Sequence, residues 1–281
     1  MADGRPFLAA CVQMRSGLDR ARNASDACAL IDAAAAQGAR FIATPEMTNV
    51  VDRKAGRLFE DLPEEQGLAE LATFSDAAKR HGVWLLIGSV ALKVEDRRAA
   101  NRSFLFSPDG DVAARYDKIH MFDVDLPNGE SWKESKIYRP GEAAVVAKTP
   151  FAQLGLSICY DVRFPRLYRS LCQRGAQVLC VPAAFTRQTG LAHWKTLLRA
   201  RAIENGAFVV APAQGGTHED GRETYGHSLI IGPWGEILAE ADHDEPGVIV
   251  AEIDPAGALK ARQQIPNLGL EQSFEVSILS T

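Results

Sequence analysis

The chain has 281 residues, 46% hydrophobic and 24% charged, enough to bury a large core and ordinary for a globular protein. A net charge of −5, with no basic cluster longer than Arg97-Arg98, argues against nucleic acid or an anionic membrane as the main partner, and no apolar run approaches the length of a membrane span. The start, Met1-Ala2-Asp3-Gly4-Arg5-Pro6, lacks the basic-then-apolar order of a signal peptide, and five cysteines without a CxxC pair read as reduced thiols in the cytoplasm.

In chain order, Phe7 to Met14 is an apolar run of strand length. Asn23 to Gln37 places Ala27, Leu30, Ile31 and Ala34 on one helical face and closes at Gly38. Arg40 to Thr44 reads as a second strand ending at Pro45-Glu46. Leu68 to His81 reads as a helix stopped by Gly82, and Val83 to Val90 as a buried strand followed by Ala91 to Lys93. Ser103 to Phe106 and Asp111 to Tyr116 flank the hairpin signal Pro108-Asp109-Gly110. After Lys118 a loop-rich stretch runs to Gly141.

Next, Leu154, Leu156 and Ile158 alternate with Gly155, Ser157 and Cys159, the period-two mark of a strand. The pattern breaks at Asp161 to Phe164, and Pro165 suits the first turn of a helix carrying Leu167, Leu171 and Cys172, with Gly175 as its stop. Cys159 therefore sits at a sharp strand-to-helix turn, where a ligand can reach the thiol and the helix start favours its thiolate. Asp161 and Arg163 place charges beside it, whereas Cys11, Cys28, Cys172 and Cys180 read as core residues in apolar surroundings.

Gln177 to Val181 and Phe208 to Pro212 read as strands around a helix from Leu191 to Asn205, which Gly206 closes. Gln214 to Tyr225 reads as a polar loop, and Ser228 to Gly232 with Glu236 to Glu240 as a hairpin about Pro233-Trp234-Gly235. Val248 to Ile253 is the last strand and Asp254 to Gln264 the closing helix. Alternating strands and helices without a linker or repeat predict one α/β domain with a mixed sheet.

A thiol nucleophile needs a base and donors for the oxyanion. No histidine lies near Cys159 in sequence, and His120, His193, His218 and His227 leave a Cys–His pair open. Glu46 and Lys118 also follow strands, and residues just past strand ends converge on one crevice in α/β sheets. A site of Glu46 as base, Lys118 as oxyanion donor and the Tyr160 N–H as second donor to a Cys159 adduct is the sharp reading; either charge taken alone reads as solvated surface.

These segments resemble the nitrilase superfamily of carbon–nitrogen hydrolases. Thr44-Pro45-Glu46-Met47 is similar to its glutamate motif, Arg115-Tyr116-Asp117-Lys118-Ile119-His120 to its lysine motif, and Ile158-Cys159-Tyr160-Asp161-Val162-Arg163-Phe164-Pro165 to its cysteine motif. Glu134 in Lys133-Glu134-Ser135-Lys136 matches the family's second glutamate. The resemblance runs from Leu8 to about Pro266, giving a domain core of about 7–266 and a tail of 267–281. It implies an α-β-β-α sandwich paired with a second copy as a homodimer or higher oligomer. It also implies a thioester mechanism using Glu46, Lys118, Glu134 and Cys159, with neither metal nor organic cofactor.

Phe122 to Pro127, Ala184 to Trp194 and Arg199 to Asn205 narrow the resemblance to the Nit-type branch, whose members act on amides of small dicarboxylates. That branch contains deaminated glutathione amidase and omega-amidase, and the stretch Ala213 to His218, continuing to Ser228, resembles the former more closely. An α-keto carboxylate calls for guanidinium donors, with Arg163, Arg187 and Arg199 as candidates and Phe185 and Trp194 as walls; core packing and salt bridging are the competing readings. A nitrilase, an N-carbamoyl amino acid hydrolase and a non-catalytic binding protein on the same scaffold are the alternatives. Asp117 and Thr44 depart from the family pattern, and the tail lacks its basic end.

Overall fold

The computed structural model describes residues 4–126 and 129–279; Met1–Asp3, Pro127 of the 122–127 stretch and the last two tail positions lie outside the described residues. In chain order come β1 (Phe7–Gln13), α1 (Arg20–Ala36), β2 (Phe41–Ala43), α2 (Ala55–Glu60), α3 (Ala69–His81), β3 (Trp84–Glu95), β4 (Arg98–Phe106) and β5 (Val112–Asp117). The short pair β6 (Asp123–Asp125) and β7 (Ser131–Lys133) follows, then β8 (Val145–Lys148), β9 (Gln153–Leu156), α4 (Pro165–Gln173), β10 (Val178–Cys180) and α5 (Arg187–Asn205). The chain continues with β11 (Phe208–Ala211), the pair β12 (Gly215–Thr217) and β13 (Glu223–Tyr225), β14 (Leu229–Ile231), β15 (Ile237–Glu240), β16 (Gly247–Ile253) and α6 (Pro255–Gln264).

Two six-stranded sheets result, ordered β16-β1-β2-β3-β4-β5 and β15-β14-β11-β10-β9-β8. Each has a parallel heart, β1-β2-β3 in one and β9-β10-β11 in the other, flanked by antiparallel strands. Strand alternation shows how they stack. In β1, Ala9 and Cys11 enter the core shared by both sheets, while Ala10 and Val12 enter a second core with Ile31 of α1 and Phe74 of α3. Phe41 and Ala43 of β2 face the first core and Ile42 the second. Leu154 and Leu156 of β9 join Trp194 and Leu198 of α5 in the shared core. Helix, sheet, sheet and helix thus form four layers. Both faces of each parallel strand are covered, which is why these strands read as continuous apolar runs. Each buried Leu or Phe contributes about 1.5–3 kcal/mol of burial.

Three expectations change. A single mixed sheet becomes two mixed sheets, because period-two patterning does not say which sheet a strand joins. Val83–Lys93 runs on to Glu95 and turns back through Asp96-Arg97 into β4, a hairpin that the sequence hides: Arg97 takes φ +53°, a conformation usually given to Gly or Asn. The loop Gln214–Tyr225 folds as the β12–β13 hairpin around Asp220-Gly221, with Gly221 at φ +84°. The Asp-Gly turn signal was present there.

Candidate active site

The site lies where the two sheets' parallel hearts end. β2 delivers Glu46 and β9 delivers Cys159, with the backbone of each fixed by left-handed geometry. Cys159 has φ +49° and Met47, next to Glu46, has φ +56°. Non-glycine residues hold this conformation only where their surroundings over-determine it. The Cys159 N–H donates to Pro182 O at 2.8 Å and the Met47 N–H to Ser89 Oγ at 2.9 Å. Gln214 donates to the carbonyls of Glu46 and Met47. Gly88 closes the same region: a Cβ there would collide with the carbonyls of Thr44 and Pro45 and with Pro182.

Asp161 ties the elbow to the lysine segment. Fully buried, it accepts from the Ile158 N–H at 2.9 Å, the His120 N–H at 3.0 Å, the His120 ring Nδ1 at 2.7 Å and the Tyr116 hydroxyl at 2.7 Å. Its charge is therefore spent on holding the turn and not on the thiol, as the sequence suggested. The other candidate histidines are engaged elsewhere. His120 stacks on Phe164, His193 meets Arg163, His218 donates to Ser16 O, and His227 stacks on Tyr225.

Three buried side chains, Glu46, Lys118 and Cys159, meet between the sheets beside the half-buried Glu134. Lys118 Nζ donates to Glu46 Oε1 and to both oxygens of Glu134, each at 2.9 Å. Glu46 Oε1 also accepts from Asn101 Nδ2, and Oε2 from the Ala184 N–H, both at 2.9 Å. Glu134 Oε2 takes the Phe122 N–H at 2.6 Å. The Cys159 thiol lies against the Glu46 carboxylate. As the second residue of a short 3-10 turn, Tyr160 has no preceding turn to receive its N–H, and no acceptor takes it among the described residues.

Charge follows from this geometry. Burial pushes Glu46 up, but the Lys118 ammonium and hydrogen bonds from Cys159 and Lys118 outweigh it and hold the carboxyl below its usual range. Burial would lower Lys118, yet Glu134 and Glu46 raise it well above a free lysine. Burial and the Glu46 charge push Cys159 well up, against Lys118 and the Ala184 N–H. Burial and the carboxylate thus run against the thiolate expected from the helix start, towards a neutral thiol beside an ionised carboxylate. Such a thiol has to lose its proton during attack, and the carboxylate beside it is the nearest base.

A cavity of about 340 Å³ opens over these groups, lined also by Phe122, Trp132, Tyr160 and Phe185. That volume suits a small ligand. Of the remaining candidates, only Phe185 lines it. Arg163 lies over the rings of Tyr160 and Phe185 and backs the wall. Trp194 is buried behind Phe185 and donates to His227 O at 2.8 Å, so it packs as core. Arg199 donates to Gly235 O and is structural. Arg187 stands outside this cavity, paired with Asp244 at 3.5 Å. Sequence reasoning missed Asn101, Arg53, Trp132 and Arg222. The guanidinium carbons of Arg53 and Arg222 lie 5.0 and 4.7 Å from the Trp132 ring centroid. Arg222 also donates to Ala184 O, and its buried Nε has no acceptor among the described residues.

Two stacked mixed sheets between helices, with a glutamate, a lysine and a cysteine at their strand ends, define the class of protein. The chain belongs to the carbon–nitrogen hydrolase family, whose model matches residues 8–263, and it is a hydrolase of carbon–nitrogen bonds other than peptide bonds. It is 44% identical over 273 residues to a deaminated glutathione amidase of Synechocystis sp., covering 94% of this chain and 97% of the relative. It is 35% identical to human omega-amidase NIT2, with 92% and 93% covered. The crystal structure of the Caenorhabditis elegans NitFhit protein superposes with a TM-score of 0.88 at 34% identity, over 97% of this chain and 66% of that one. Among the described residues no helix is long and apolar enough to cross a membrane.

Proposed function

We propose that the chain is a cysteine amidase of the deaminated glutathione type, working in the cytoplasm through the single domain of about 7–266. One observation carries the reading: a buried thiol and an ammonium stand at one buried carboxylate on the floor of a cavity. Cys159 attacks the amide carbonyl as its proton passes to Glu46. The oxyanion forms between Lys118 Nζ and the Tyr160 N–H. As the tetrahedral adduct collapses, Glu46 returns the proton to the departing amine and the acyl group stays on sulfur. Water then attacks the thioester, giving a proton to Glu46; as the C–S bond breaks, Glu46 returns that proton to the Cys159 sulfur, and the acyl group leaves as the carboxylic acid. Glu134 keeps Lys118 charged and in place. Arg222, with a buried unsatisfied N–H, is the cation we assign to the substrate's α-keto carboxylate.

Greater identity to the deaminated glutathione enzyme than to omega-amidase favours the first substrate. The test is product formation by mass spectrometry from deaminated glutathione and 2-oxoglutaramate, with Cys159→Ala beside the parent. Release of Cys-Gly in preference to ammonia supports the reading. A preference for 2-oxoglutaramate moves it to omega-amidase, and turnover that survives Cys159→Ala ends the mechanism.

A further inference from the structure

Deaminated glutathione and 2-oxoglutaramate present the same acyl group and differ in the amine that leaves. The thiol's cavity holds the acyl side, so discrimination has to come from wherever the amine lies. A second cavity of about 510 Å³ adjoins the first, and Arg53 and Arg222 stand in the walls of both. Its outer wall is the first turn of α5, where Arg187 and Leu191 lie one turn apart, the Arg187 side chain 60% and Leu191 77% exposed. The acyl group is tethered to buried Cys159 until water frees it, whereas the amine must depart towards solvent. The outer cavity lies on that exit.

Its charges suit an anion. Arg53, Arg187 and Arg222 line it, against the carboxylates Glu130 and Glu223. Glu130 is occupied by the Trp132 indole N–H at 2.8 Å and by Arg53 at 3.8 Å, and Glu223 by the Thr217 hydroxyl at 3.5 Å. Arg53 and Arg222 are held against Trp132, so they are fixed features of the junction. Arg187 is different: among the described residues it pairs with Asp244, at 3.5 Å and partly exposed, a contact weak enough to yield to a better-placed carboxylate. An acceptor reaching the outer cavity would find its guanidinium fork available.

We propose that the outer cavity is the leaving-group subsite, built for an amine that itself carries a carboxylate, such as an amino acid or a short peptide, with Arg187 as the residue that selects it. The inference rests on the amidase reading through Cys159. No chemistry is added to that reading: the C–N bond breaks, the amine leaves with the proton from Glu46, and its carboxylate is held by Arg187 up to that step. Arg187 touches the leaving group and not the reacting atoms, so it sets KM rather than kcat.

The test compares the full-length parent, Arg187→Gln and Arg187→Lys on three amides of one acyl group: deaminated glutathione, its analogue with the terminal carboxylate amidated, and 2-oxoglutaramate. In Arg187→Gln the KM for deaminated glutathione rises about fivefold relative to that for 2-oxoglutaramate, at unchanged kcat. The amidated analogue shows no such shift, and Arg187→Lys restores part of the ratio. Equal KM changes for all three amides, or none, overturn the subsite while leaving the amidase reading intact. Failure of the parent to turn over any of them overturns the amidase reading, and the subsite falls with it.

Discussion

The molecule holds cations against carboxylates in two settings. Between the sheets, Lys118 is 2% exposed and donates to Glu46 and Glu134 at 2.9 Å. At the mouth, Arg187 is 60% exposed and meets Asp244 at 3.5 Å. The chemistry is the same, yet the two pairs differ in kind. In the interior each ion has lost its water, so removing one partner leaves an uncompensated charge. At the mouth water screens the pair and replaces either partner readily. The interior cluster therefore belongs to the fold as much as to the reaction, while the rim can change with the substrate.

The largest effect expected is for Lys118→Met. It leaves the carboxylates of Glu46 and Glu134 close together in the interior without a cation. Stability should fall by about 3–5 kcal/mol, and kcat by at least about 10²-fold through loss of an oxyanion donor. Scanning calorimetry beside steady-state kinetics reads both. A variant as stable as the parent would mean the cluster is not integral to the fold, and the comparison would break.

Glu46→Gln keeps the shape and removes the base. Activity should drop about 10³-fold. Alkylation of Cys159 by iodoacetamide separates this from a packing fault. In the parent the thiol's own ionisation lies far above neutrality while Glu46 stays ionised, so the rate should be nearly flat from pH 6 to 8. In Glu46→Gln only spontaneous ionisation remains, and the rate should climb about tenfold per pH unit. A climbing profile in the parent would show that Glu46 takes no proton.

How much of this was legible follows the same division. Glu46 and Cys159 stand just past apolar strands and Lys118 just past a hairpin strand, so local pattern singled them out and the family resemblance supplied the order. Glu134 had no local mark and was found through the resemblance alone. Asn101, which bridges Glu46 and Glu134, sits inside β4 as a polar break between Ala100 and Arg102, and a single buried amide leaves no periodic trace. Arg222 was hidden because its hairpin was read as loop, although Asp220-Gly221 signals the turn. The expected thiolate is opposed for a physical reason: burial and the neighbouring carboxylate act against a helix start only a turn long.

At the rim, Arg222→Gln should leave thermal stability nearly unchanged and raise KM about tenfold for deaminated glutathione and 2-oxoglutaramate alike, since both present the α-keto carboxylate. Calorimetry and initial rates check this. A kcat loss at constant KM would put Arg222 in the chemistry instead of in acyl recognition, and a Tm as depressed as that of Lys118→Met would erase the distinction between rim and interior.

The last effect concerns His218, which anchors the hairpin that carries Arg222. A carbonyl can only accept, so Nδ1 bears the proton given to Ser16 O at 2.8 Å, and Nε2 accepts from the Thr224 hydroxyl at 2.7 Å. Burial pushes its pKa down from 6.5 to about 4. The unfolded chain thus binds a proton before the folded one does. Stability from this group is complete above about pH 6.5 and is lost as pH falls towards 4, by up to ~3 kcal/mol. Glu46 acts in a different window, because a depressed carboxyl weakens the fold only below its ordinary value of 4.5. Urea midpoints measured between pH 7 and 5 should therefore fall in the parent and fall less in His218→Gln, whose amide can both donate to Ser16 and accept from Thr224. Parallel slopes in the two proteins would assign the loss to other groups. A shallower slope in the variant would show that acid loosens the rim hairpin before it reaches the charge cluster between the sheets.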